Sequence, residues 1–147
     1  MKKAILFLLI FILLIQFIPT KHNTNETAWQ KIKVEQNLGD ELHTIFENAC
    51  YDCHSNNTKY PWYSKIQPLS LWINHHVDEG KHHFNFNSLN EYSPKKYKHK
   101  MEELVEMIEK EEMPLKSYTL IHKNAILTNE QQLMIINWAK AKMNSTP

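Results

Sequence analysis

Arginine is missing altogether: the 17 basic residues are all lysine, set against 16 acidic ones for a net charge of +1. Without guanidinium forks or a basic surplus, the chain is poorly equipped to neutralise phosphates or read base edges, which sets nucleic-acid binding aside. Glycine is nearly absent, with two in 147 residues beside six prolines. That scarcity argues against turn-rich β architecture and against low-complexity sequence. No alternating strand run and no internal repeat is present. The two cysteines, Cys50 and Cys53, stand too close together to form a disulfide framework. What remains is a chain of one-domain length with 42% hydrophobic residues and nine histidines. This is apolar enough for one core, too polar for a polytopic membrane protein, and too apolar for a wholly disordered chain.

The apolar content is concentrated at the front. Lys2 and Lys3 precede an unbroken run from Ala4 to Ile15, followed by Gln16, Phe17, Ile18 and Pro19. A basic start and a short apolar stretch form an export signal. Residues 1–19 therefore read as a signal peptide or a signal-anchor, and the lack of a visible small-residue cleavage site near Phe17–Thr20 favours the anchor. The bulk of the chain then lies outside the cytoplasmic membrane, on its periplasmic face. Residues 20–38 are polar and read as a linker into a domain over 39–143.

That domain is expected to be all-α. Asp40 is an N-cap candidate for a helix with Leu42, Ile45, Phe46 and Ala49 on one face. Pro68 in a first turn precedes Leu69, Trp72, Ile73, His76 and Val77 at helical spacing, and Gly80 is expected to stop that helix. Ser93-Pro94 starts a third helix with the stripe Met101, Leu104, Val105 and Ile108. Thr128 with Gln131 is a capping box for a fourth, with Met134, Ile135, Trp138 and Ala141 facing inwards. Between them, residues 50–67 and 81–92 read as long loops carrying Tyr51, Tyr60, Trp62, Tyr63, Phe84 and Phe86. Loops of that length are uncommon without a function, and these aromatics suit a shell around a large apolar group.

The segment Cys50-Tyr51-Asp52-Cys53-His54 names a candidate group. On one helical turn the two thiols project to the same side, so both can add to the vinyl groups of one haem while His54 supplies an axial imidazole. A thioredoxin-like pair needs a βαβ context that is absent, and a structural zinc site lacks paired histidines at the usual spacing. For the sixth iron position, Met113 precedes Pro114 and is pushed out of the third helix onto a loop, whereas Met101 and Met134 fall on packing stripes. His76 and His75 are the rival ligands, and an open iron is the third possibility. Lys95, Lys96, Lys98 and Lys100 precede six glutamates along the third helix, forming either a solvated face or a docking surface for a redox partner.

The motif set Cys50–Ser55, Pro61-Trp62-Tyr63-Ser64, His76–Lys81 with Asn85-Phe86, and Met113-Pro114-Leu115 with Tyr118 and His122 resembles the bacterial haem-binding domain proteins related to cytochrome c. The resemblance covers about residues 39–143. It implies a small cytochrome c-like helical fold, haem c as cofactor, thioether links at Cys50 and Cys53, His54 as proximal ligand and Met113 as distal one. Lys81 stands where that family tends to carry arginine. The expectation is a monohaem electron carrier, anchored by its N-terminal helix and serving an unidentified redox partner. The alternatives are a haem enzyme or gas and peroxide sensor with an open distal site, or a Cys/His metal module without haem.

Overall fold

Apolar side chains repeat at helical spacing along this chain, and helices are what it forms. The computed structural model describes residues 1–145. Among them, helices α1 (Lys2–Ile15), α2 (Ala28–Glu35), α3 (Asp40–Ala49), α4 (Tyr51–His54), α5 (Leu69–His83), α6 (Pro94–Glu109), α7 (Lys116–Thr119) and α8 (Asn129–Ser145) occur without any strand. Short 3₁₀ turns at Trp62–Lys65, Phe86–Glu91 and Lys123–Ala125 occupy much of what the sequence suggests is loop.

The starts of the two longest domain helices are set by local chemistry. The Ser93 hydroxyl accepts from the Lys96 amide, with Pro94 in the first turn of α6. At α8, Thr128 Oγ1 accepts from the Gln131 amide while Gln131 Oε1 accepts from the Thr128 amide, the reciprocal pair of a capping box. α6 lies along α8, and their buried stripes close over Phe46 of α3. Met101, Ile108 and Ile135 are fully buried there.

Several expectations are corrected. Gly39, not Asp40, occupies the cap of α3, and Pro68 caps α5 from outside. On α8 it is Ala139 that is fully buried, one turn after Ile135, while Ala141 is exposed. On α5, Val77 is buried but Leu69 and Trp72 face outwards. Gly80 does not stop α5, which continues to His83.

Residues 20–38 are part of the packed domain and not a linker. Trp29 and Ile32 of α2 enter the core, and the Trp29 indole donates to Ser55 Oγ at 2.9 Å. Asn23 holds the same region, donating from Nδ2 to the Ser55 carbonyl and to Thr58 Oγ1, and accepting from Lys81 Nζ at 2.8 Å.

The apolar front segment forms α1, but its 14 residues reach only about 21 Å at ~1.5 Å each. Among the described residues, no helix is long and apolar enough to cross a membrane, so the expected anchor is a shorter element than a membrane span. No residue of α1 is buried.

Candidate functional site

Cys50 both ends α3 and begins α4, with φ −130° and ψ −44° marking the bend between them. The amides of Cys53 and His54 return to its carbonyl at 3.2 and 2.9 Å, closing a single helical turn. That turn brings Cys50, Cys53 and His54 to the wall of one cavity of about 500 Å³. Of the two residues between the cysteines, Tyr51 turns into the core while Asp52 also borders the cavity, and both hold the turn in place. Tyr51 is fully buried between Trp29, Phe46 and Phe86. Asp52 accepts from the Lys59 amide at 2.8 Å and from the Tyr118 hydroxyl at 2.8 Å.

His54 is oriented by a main-chain acceptor. Its Nδ1 lies 2.9 Å from the Phe84 carbonyl, which can only accept, so Nδ1 carries the proton and Nε2 keeps its lone pair. Burial pulls the His54 pKa below its ordinary value, with the Phe84 and Gly80 carbonyls opposing in part. A neutral imidazole with one nitrogen tied to a carbonyl is the form in which histidine binds a metal ion. Burial also pushes both thiols up, Cys50 and Cys53 each to about 12. Such thiols are protonated at neutral pH, unlike the low-pKa cysteine of a redox dithiol.

The rest of the cavity wall is mainly apolar. Phe84 and Phe86 line it, as do Leu104 and Ile108 of α6 and the loop residues Met113, Pro114 and Leu115. Of the aromatics expected as a shell, Phe84 and Phe86 reach the cavity, whereas Tyr51 packs in the core and Trp62 is exposed. Tyr63 lines a smaller depression of about 80 Å³ and meets His122 Nε2 at 3.0 Å.

Met113 reaches the wall because α6 ends in a tight reversal. Glu111 takes a left-handed conformation with φ 55°. The Glu111 amide then bonds the Ile108 carbonyl and the Glu112 amide the Met107 carbonyl, the pairing of a Schellman end. His76 also lines the cavity, with Nδ1 2.9 Å from the Trp72 carbonyl, whereas His75 does not line it. His82 and His83 are exposed.

Sequence reasoning missed three features of this wall. Met107 lines the cavity as a second thioether, and its place three residues after Leu104 on the α6 stripe was a usable signal. Glu103 and Glu106 belong to the wall too, so part of the acidic run on α6 faces the cavity and not bulk solvent alone. The third feature is Gly80. A β-carbon there would stand 2.5 Å from the Cys53 carbonyl oxygen and 3.0 Å from the Cys53 β-carbon. Its role is close approach of α5 to α4, a contact invisible in local sequence.

Residues 10–141 match the family model described as a haem-binding domain. The chain belongs to this haem-binding domain family. No curated protein and no solved structure is similar enough to count as a match. The residues present fit the family's cofactor. A cavity of about 500 Å³ lies within the range of ~300–1,000 Å³ typical of buried cofactor sites. Its apolar wall carries an imidazole with a free ring nitrogen, two thiols one turn apart and two thioethers, a donor set suited to iron and porphyrin. Among the described residues, no group of three or more His, Cys, Asp or Glu is placed to hold a metal ion directly. Besides His54, the wall carries His76 and His83, but these side chains are not gathered with the cysteines as the four close ligands of a zinc module would be.

Proposed function

We propose that this haem-binding domain protein carries one covalently attached c-type haem and passes single electrons outside the cytoplasmic membrane. One observation carries the reading: Cys50, Cys53 and His54 share a helical turn and line a single apolar cavity, with Met113 on the same wall. Haem iron supplies a one-electron Fe(III)/Fe(II) couple when bound. Cys50 and Cys53 hold the porphyrin edge through thioether bonds, each thiol adding S and H across one vinyl group. His54, aimed by the Phe84 carbonyl, would bind the iron through Nε2, and Met113 would supply the second protein ligand. Soft sulfur on the distal side favours Fe(II) and raises the potential.

The chain's own residues keep that ligand set in place. Asp52 lies inside the cysteine motif and Tyr118 lies five residues after Met113, so their hydrogen bond ties the proximal turn to the distal segment. Tyr118 stacks on His122 with ring centres 4.2 Å apart, and His122 meets Tyr63, extending the tie to the 3₁₀ turn at Trp62. The relation to cytochrome c rests on the Cys-x-x-Cys-His motif, the all-helical fold and the distal methionine. Export and membrane tethering rest on Lys2, Lys3 and the apolar run that follows.

The test is expression of the full chain in a host that matures c-type haem, extraction of the protein with acidified acetone, and a reduced pyridine haemochrome spectrum. The expected result is a c-type spectrum that stays with the protein. Haem that partitions into the acetone would leave haem binding standing but overturn covalent attachment.

A further inference from the structure

α1 is apolar on every side and buries none of its residues, yet its end is not free. Gln16 donates from Nε2 to the Gln67 carbonyl at 3.3 Å and accepts from the Gln67 amide at 3.0 Å. The Gln67 side chain donates to the Ile18 carbonyl at 3.0 Å, and Thr20 Oγ1 lies 2.8 Å from Ser70 Oγ. Gln67 and Ser70 are both buried. The apolar helix therefore leaves the domain at one place, the first turn of α5.

That place is ringed by apolar side chains that stay largely exposed, although Trp72 leans on His76 and Trp62 meets Tyr63 edge-on. Trp62 is 76% exposed and Trp72 48%, and Ile66, Leu69 and Leu71 between them are exposed as well. Ile121 adjoins them, sharing the smaller depression with Trp72. Lys65 is exposed within the same stretch. Apolar surface gathered in one area marks an interface. Tryptophan flanked by lysine is the composition favoured where hydrocarbon meets water, since the indole is amphipathic and the lysine stem can lie along lipid with its ammonium in water.

We propose that the face formed by residues 61–72 and Ile121 rests on a lipid bilayer, held there by α1. The inference deepens the reading of α1 as a membrane tether and rests on it. Length points to the same occupant. A helix of about 21 Å falls well short of a ~30 Å hydrocarbon core. Since its exit is clamped to the domain, it can enter the hydrocarbon only by drawing the surrounding surface into the interface. His76 lines both the depression beside this face and the main cavity, so docking sets the cavity next to the membrane surface.

The test uses the full-length haem protein in vesicles of phosphatidylcholine and phosphatidylglycerol. A fraction of the phosphatidylcholine carries a diazirine high on one acyl chain. After illumination, peptides are mapped for lipid adducts. Adducts on α1 and on the peptide covering 61–72 are expected, with a several-fold loss on that peptide alone in the Trp62→Gln, Trp72→Gln double variant. Both tryptophans are exposed, so the substitutions leave the core intact. Adducts confined to α1 would overturn docking while leaving the tether. No adducts anywhere would overturn both, and the haemochrome result stands apart from either outcome.

Discussion

Met113 and Met107 present the sharpest question at the level of single residues. Both thioethers line the cavity, but an iron held by His54, as proposed, would take only one of them as its further ligand. Met107 sits within the regular turns of α6, whereas Met113 lies beyond the helix end, packed against the core on a segment tied to Asp52 through Tyr118. The expectation follows from that difference. Met113→Ala should abolish the low-spin ferrous spectrum and lower the reduction potential, while Met107→Ala should leave the low-spin spectrum in place. If the two variants exchange these behaviours, the distal assignment passes to Met107. The proline after Met113 makes this residue legible in the sequence, because a pre-proline residue leaves the helical region. No proline marks Met107, which lies within the regular turns of α6, and its spacing from Leu104 is the one sequence trace it leaves.

Among the helices, the contact between α4 and α5 carries the site. α4 has only four residues and no independent helical stability, so its geometry depends on what it packs against. Gly80 lets α5 come within backbone contact of Cys53, and the same helix end presents the Phe84 carbonyl to His54. Gly80→Ala places a methyl against main-chain atoms that cannot rotate away. The expected cost is that of overpacking, about 1–3 kcal/mol, read as a lower denaturation midpoint of the haem protein. An unchanged midpoint would mean that the two helices separate freely. From the sequence alone Gly80 is a stop signal for α5, and the helix runs through it. Glycine at a helix end and glycine at a helix crossing leave the same local trace. Only the neighbour, 27 positions away in the chain, distinguishes them.

At the scale of the whole molecule, His43 is expected to make stability sensitive to acid. It is buried in α3, with Nε2 2.9 Å from Glu47 and Nδ1 3.3 Å from the Tyr51 hydroxyl. Burial lowers its pKa below the ordinary value; Lys33 adds to that, while Glu47 and Asp40 oppose it. The unfolded chain therefore takes up this proton at a higher pH than the folded one. The contribution of neutral His43 is fully present above a pH of about 6.5 and is lost as pH falls through the folded value. His43→Gln should flatten the dependence of the unfolding midpoint on pH between about 7 and 5, relative to the parent haem protein. An equally steep profile in the variant would assign acid sensitivity to other groups.

What the sequence by itself determined was local. Helical periodicity, the Ser93-Pro94 start and the Thr128–Gln131 box specify α6 and α8, because capping and side-chain spacing act within a few residues. The Cys-x-x-Cys-His turn is equally local, since two thiols three residues apart share one side wherever the chain is helical. The tertiary structure decided the rest, because its partners are remote in the chain. The Phe84 carbonyl that aims His54 lies 30 residues away, and the Tyr118 hydroxyl that reaches Asp52 lies 66 away. Ala28, Trp29 and Ile32 entered the core from a stretch too polar to announce a buried helix, with the Trp29 indole fastened to Ser55 of a remote segment. Hydrogen bonding and burial at such separations depend on how the helices pack, and no spacing rule along the chain encodes that packing.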